Sequence, residues 1–305
     1  MKKIGLILFV LLILVFSCKS NRQVIEKNVV EKEVNYIPYY LKVYEADSLY
    51  IIKDYKKSFK ILDSLFNIFQ PKNTFRINEY ETFCKIKIIL KKNLVKNDFV
   101  KLMSQYGYSK IWIESDSILN LFFDSKKDIQ KKYNLYRELY LQKINLDLRK
   151  KIVMLVEEDQ KYRIGNKNSN TVNMRRVTDS VNVIEIIKIF DTYGYPNIDL
   201  IGNYTIDDKE VLVDPILYHT STSKNNQYFL TKIFEYVRKG KADPSTYAFM
   251  VDRLKLHRKE NQNYGTFENK INSSTKVINE NRRNIGLPSI NYESWKTNKI
   301  YPTLK

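Results

Sequence analysis

A mostly α-helical fold follows from three features of this chain. Apolar residues recur every three or four positions over long stretches, which gathers them on one face of a helix. Those stretches stop at Gly, Pro or Asn/Asp groups, residues that end helices. The intervening turns are short, so neighbouring amphipathic helices must bury each other's apolar stripes. The expected architecture is a set of N-terminal helical hairpins, solenoid-like, followed by a mostly helical C-terminal domain with minor strand content.

The elements justify themselves in order. From about Tyr36, residues Tyr40, Val43, Tyr44, Leu49, Ile51 and Ile52 form a broad stripe that breaks at Lys53-Asp54-Tyr55. Tyr55, Phe59, Leu62, Phe66 and Phe69 make a second face, closed by Gln70-Pro71 because proline restricts the residue before it and lacks an amide donor. Further helices are expected over Glu79–Lys92, Phe99–Tyr106 (closed by Gly107), Leu119–Phe123 and Tyr133–Ile144. The stretch Ala46…Tyr50…Asp54-Tyr55…Ser58-Phe59…Leu62 resembles a single degenerate tetratricopeptide unit. That resemblance implies a concave face for a peptide or protein, set against plain helical packing.

The N-terminus fixes an address. Lys2 and Lys3 precede an apolar run from Ile4 to Phe16, too short to span a bilayer, which takes about 20 apolar residues. A basic start, a short apolar core and a small residue describe a secretory signal. Val15-Phe16-Ser17-Cys18 resembles a bacterial lipobox, which implies cleavage before Cys18 and lipidation of its thiol and new amine. Residues 1–17 are then a signal peptide and 18–35 a polar tether. The partner expected at Cys18 is the lipid bilayer. With no acidic cluster after Cys18, the expected location is the outer membrane, facing the periplasm.

The chain carries a formal net charge of +18. Its basic residues are scattered among acids, as in Asp124-Ser-Lys-Lys-Asp128, and read as solvated helix faces, with attraction to an anionic surface or glycan as the alternative. Export, and the absence of a zinc-finger or aromatic-basic motif, argue against nucleic acid. Cys84, the only cysteine besides Cys18, lies in an apolar-periodic helix and is expected in the core. No disulfide framework is available.

Four Asp-Ser-aliphatic triplets begin at Asp47, Asp63, Asp116 and Asp179. They resemble the O-glycan acceptor of exported proteins in the Bacteroidetes group, yet Asp-Ser before an apolar residue also starts helices.

Around Leu155 the polar residues become specific. Asp159 and Arg163 lie one helical turn apart and can pair. Asp179 and Asn182 lead a helix running through Ile184, Ile187 and Phe190, ended by Gly194 and Pro196. His219 follows, then a helix over Tyr228–Lys239 stopped by Gly240. Asp252-Arg253, Tyr264-Gly265-Thr266 and Asn281-Arg282-Arg283…Gly286-Leu287-Pro288 close the series.

This ordered series over residues 150–291 resembles the bacterial family of unknown function DUF6624. Its pattern, Asp-Gln-x-x-Arg, Asp-x-x-Asn, Gly-x-Pro, a His, Asp-Arg and Tyr-Gly-Thr, is met here at Asp159, Gln160, Arg163, Asp179, Asn182, Gly194, Pro196, His219, Asp252, Arg253, Tyr264, Gly265 and Thr266. The family often has Gln before the His and an acid soon after. Here Tyr218 and Thr220-Ser221 stand in those places. The resemblance implies no established reaction.

The expected organisation is thus a helical repeat-like region over 36–149, the family-like domain over 150–291, and a tail over 292–305. The candidate catalytic residues are His219, Asp252, Asp159 and Arg163, because a near-neutral imidazole beside carboxylates can move protons. The set has too few His and no Cys group for a standard zinc site; no metal or cofactor is expected. Tyr264, Gly265 and Thr266 with Arg253 form a candidate ligand loop. His257 is expected on the surface. The leading reading is a binding or scaffolding module, meeting an envelope protein or glycan through its helical region; the alternative is an envelope hydrolase using His219 with Asp159 and Asp252.

Overall fold

Helix-forming patterns dominate the structure as they do the sequence. A computed structural model describes residues 34–73, 77–163, 168–221, 223–268 and 273–302. Cys18, the signal segment and most of the tether lie outside the described residues. Residues Val34–Lys305 make one compact unit. Among the described residues there are sixteen α-helices and no strand. The minor strand content expected from sequence is therefore absent from them. Val211 and Val213 are buried within an irregular segment, and the core they enter is built from helices rather than from a second strand.

The first half is a sequential stack. Helix α1 (Ile37–Ile51) turns through Lys53, at φ 64°, into α2 (Tyr55–Phe66). Asp54 caps α2 by accepting from the Lys57 amide at 3.3 Å, and the Ser58 hydroxyl donates to the Ala46 carbonyl at 2.7 Å. Helix α3 (Glu79–Ile89) packs on α2, and α4 (Val95–Ser104) packs on α3. Three short helices follow: α5 (Lys110–Ser115), α6 (Ser117–Asp124) and α7 (Lys127–Lys131). Then α8 (Tyr133–Leu141) returns to α4. The periodicity missed α5 and α7 because each is under two turns, too short to show a repeat. Leu62, Phe83, Cys84, Phe99, Leu102 and Phe123 fill this half's core. Burial pushes the Cys84 thiol pKa well up, as a core cysteine requires.

The Asp-Ser-aliphatic triplets divide. Asp116 caps α6, accepting from the Ile118 and Leu119 amides at 3.0 Å each. Asp47, Asp63 and Asp179 lie inside helices and start none.

The second half runs through α9 (Leu146–Lys161), α10 (Ser169–Tyr193), α11 (Ile198–Ile201), α12 (Asp214–Thr220), α13 (Asn226–Arg238), α14 (Pro244–His257), α15 (Thr275–Asn284) and α16 (Tyr292–Ile300). Helix α10 begins ten residues before Asp179. Asn168 and Thr171 form a capping box there, each side chain accepting from the other's amide, at 2.8 and 2.9 Å. It ends at Gly194, φ 76°, a conformation that favours glycine.

Helix α1 joins the two halves. Tyr39, Tyr40, Val43 and Tyr44 belong to the same core as Ile152, Ile186, Phe229, Val237 and Met250, whereas Ala46 packs into the other core. The Tyr40 hydroxyl bonds the Val237 and Ala242 carbonyls at 3.1 Å each. The C-terminal segment carries α16 and buries Tyr292, whose hydroxyl donates to Asp47; Lys296 reaches the same carboxylate at 2.8 Å.

Candidate functional site

Three helices bring the polar residues of the second half to one place. Helices α9 and α10 pack together, so Asp159 near the end of α9 meets Asn182 of α10. Arg163, just past α9, donates to both oxygens of Asp159, from Nε at 3.1 Å and from Nη2 at 3.0 Å, and also to Asp179 of α10. Helix α12 delivers His219. Its start is pinned by Asp214, which accepts from the Tyr195 hydroxyl at 2.8 Å and the Thr246 hydroxyl at 3.0 Å. Its Ile216 and Leu217 are buried.

Asp159 is the hub. Its side chain is fully buried, and it also accepts from Asn182 Nδ2 at 3.2 Å and Gln160 Nε2 at 2.7 Å. His219 Nδ1 lies 3.2 Å from it. Burial alone raises a carboxyl pKa, but the hydrogen bonds from His219 and Arg163 outweigh it and hold Asp159 below the usual value. An ionised Asp159 fixes the imidazole with its proton on Nδ1, leaving the Nε2 lone pair as the ring's base. Nε2 makes no hydrogen bond among the described residues.

His219 opens onto a pocket of about 560 Å³. Val183, Ile184, Ile187 and Ile216 line its apolar side; Asp179, Asn182, Lys224 and Asn225 line its polar side. Such a mixture suits a small ligand with an apolar body and a polar end. Lys224 is exposed and without an ion pair among the described residues, so it brings positive charge to the rim. Sequence reading missed this pocket: Ile184 and Ile187 have core spacing, and only the packing shows that Ile184 is 54% exposed.

The hydroxyls after His219 are engaged locally. Thr220 donates to the Leu217 carbonyl and Ser221 to the Tyr218 carbonyl, both at 2.7 Å, and Ser223 accepts from the Asn225 amide at 3.2 Å. Thr222 lies outside the described residues. Donor atoms of Asp159, Asp179 and His219 fall within 4.8 Å of one another. The Arg163 guanidinium already bridges the two carboxylates, so a divalent ion would have to displace it from both.

Asp252 and its loop stand apart from this set. Asp252 is fully buried and accepts from the amides of Asn263 at 2.7 Å, Tyr264 at 3.1 Å and Thr266 at 3.0 Å, and from the Thr266 hydroxyl at 3.0 Å. Asn281 and Arg282 of α15 grip the same turn from outside, donating to the Asn263 and Tyr264 carbonyls at 3.1 and 3.0 Å. Gly265, φ 63°, gives the turn its shape. The amides of Tyr264 and Thr266 are thus spent on Asp252 and are not offered to a ligand.

Arg253 follows Asp252 on α14. Burial and the Arg163 charge lower its pKa, with Asp179 opposing. It makes no hydrogen bond among the described residues. His257 is exposed, as expected.

Most polar residues of the ordered motif series therefore fall into two constellations, a polar cluster at the pocket and a braced turn, while Gly194 ends α10. The class defined so far is an all-helical protein with an Asp-oriented histidine on an open pocket. No family model, curated protein or solved structure matches the chain.

Proposed function

We propose that this chain is a lipid-anchored protein of the bacterial envelope that hydrolyses a small substrate bound beside His219. The observation that carries this reading is Asp159 at 3.2 Å from His219 Nδ1, on a pocket open enough to admit a ligand. In this reading His219 Nε2 takes a proton from water as the water oxygen bonds to the substrate, Asp159 stabilises the imidazolium, and the imidazolium then gives that proton to the leaving group as the scissile bond breaks. Lys224 offsets negative charge that develops on the substrate. Asp252 serves by bracing its turn and takes no part in proton transfer. Membership of DUF6624 is part of this reading and names no reaction.

Binding without turnover is the second reading. It is favoured by the sharing of Asp159 among Arg163, Asn182, Gln160 and His219, which is how a structural carboxylate is held.

The test is a turnover screen of the full chain against aryl esters, peptidoglycan fragments and phospholipids. Hydrolysis by the wild type that falls about 100-fold or more in His219→Gln, with its pH profile flattened, supports the proposal. Undiminished turnover in that variant, or no turnover of any substrate by the wild type, defeats it. For the anchor, a clickable fatty acid should label the wild type and not Cys18→Ala; equal labelling would remove the membrane placement.

A further inference from the structure

A second concavity shares no lining residue with the His219 pocket and is built differently. A pocket of about 370 Å³ is walled by Tyr106, Tyr108 and Trp112 on one side and by the Gly202–Leu212 segment on the other. It shares Asn78, Tyr108 and Trp112 with a neighbouring hollow of about 320 Å³ that ends at Glu81 and Asp116. The two form one groove with Trp112 at its middle. Tyr108 and Trp112 pack edge to face at 5.4 Å, and Tyr204 stands 44% exposed.

Four observations constrain the occupant. First, no described residue lining either hollow is Lys, Arg or His, although 52 of the chain's 305 residues are Lys or Arg. Lys85, at the Glu81 and Asp116 end, is already paired with both carboxylates at 2.8 and 3.1 Å, so phosphate, nucleotide or sulfated ligands would find no free cation in the described lining. Second, the aromatic rings offer flat apolar faces suited to the C–H faces of a pyranose. Third, Asn78 and Glu210 line the groove, and their side chains make no hydrogen bond among the described residues. Planar amides and carboxylates match pairs of adjacent hydroxyls. Fourth, the floor holds unsatisfied polar atoms. Asn73 Nδ2 and Tyr106 Oη are buried without a hydrogen-bond partner, in residues only 5% and 8% exposed. Glu79, which accepts from the Asn73 amide at 2.5 Å, has its Oε2 in the same condition, and burial raises the pKa of that carboxyl. Buried polar groups left unpaired are destabilising, so such a cluster calls for hydroxyls or water to complete it.

We propose that this groove is a carbohydrate-binding site for an uncharged glycan chain, with Trp112 and Tyr204 as stacking platforms and Asn78 and Glu210 as hydroxyl partners. The site is independent of the His219 pocket and stands whether or not that pocket is catalytic.

The full chain in detergent should be titrated with cellotetraose, mannotetraose and tetra-N-acetylchitotetraose. A sulfated heparin tetrasaccharide and a penta-alanine peptide serve as comparisons. Trp112 is one of two tryptophans, and a Trp295→Phe background isolates its emission. At least one neutral sugar should shift that emission, and His219→Gln should leave the affinity unchanged. Trp112→Ala should weaken binding about tenfold or more, a loss of about 1.4 kcal/mol. Tyr204→Ala and Glu210→Ala alter exposed side chains and should each weaken binding with melting unchanged, which keeps the test decisive if Trp112→Ala misfolds. Absence of binding by all three sugars, tighter binding of the heparin fragment, or peptide binding in their place would each overturn the proposal.

Discussion

Replacing Asp159 with Asn tests how the polar cluster is held. The change keeps the shape and removes the charge. In the wild type Oδ1 faces Arg163 Nη2, Asn182 Nδ2 and His219 Nδ1, while Oδ2 faces Gln160 Nε2 and Arg163 Nε. Whichever oxygen becomes an amide nitrogen must face at least two donors. The half-buried Arg163 guanidinium also loses one of its two carboxylates. Breaking a buried pair from one side typically costs about 3–5 kcal/mol; with Asp179 still in place, about 3 kcal/mol is expected here. At roughly 2–4 °C per kcal/mol for larger domains, the melting temperature should fall by roughly 6–12 °C. Urea unfolding followed by far-ultraviolet circular dichroism reads this directly, with the exposed Asp63→Asn as control. The pH dependence supplies a second check. Asp159 has its folded pKa depressed, so its contribution is present above the unfolded value of about 3.9 and is lost as pH falls through the folded value. The gap between wild type and Asp159→Asn should therefore be full at neutral pH and close under strongly acidic conditions. A variant within about 0.5 kcal/mol of wild type at pH 7, or a gap that is constant down to about pH 2, would refute the reasoning.

Other perturbations follow from named contacts. Arg149 is buried and binds Asp207, at 3.1 and 2.5 Å, and the carbonyls of Ile201, Gly202 and Lys209 at 3.0, 3.2 and 2.8 Å. Arg149→Met should destabilise by about 3–5 kcal/mol in a urea titration and loosen the 201–209 segment in hydrogen exchange. Asp252→Ala strands the amides of residues 263–266; fast proteolysis within that turn, ahead of global unfolding, is the expected readout, at about 3 kcal/mol or more of lost stability. At Gly107, φ is 70° and an added Cβ would come 2.3 Å from the Tyr140 ring. Gly107→Ala should lower stability by about 2–4 kcal/mol in thermal melts, combining backbone strain with overpacking.

Much of the helical layout was legible because helices bury periodic stripes. The face of Tyr55, Phe59, Leu62 and Phe66 became α2, and Gly194 and Gly240 ended helices at positive φ. The start of α10 was not found at Asp179, because a capping box of two modest polar residues, Asn168 and Thr171, lies well upstream. Of the candidate site residues, Asp159 with Arg163 was readable as a pair one turn apart. Joining them to Asp179, Asn182 and His219 needed the packing of α9, α10 and α12. Asp252 looked chemically equivalent to Asp159, yet its oxygens face inward to a turn it braces.

By itself the sequence determined the helical class, the buried state of Cys84 and the residues able to carry proton chemistry, since periodicity and side-chain type are local properties. Tertiary structure alone decided which carboxylate meets the imidazole, that Arg149 clamps a segment some fifty residues further along the chain, and that an aromatic groove with no basic residue in its described lining opens on a strongly basic protein. Those outcomes depend on contacts between residues distant along the chain, where side-chain direction and desolvation, rather than residue identity, set the chemistry.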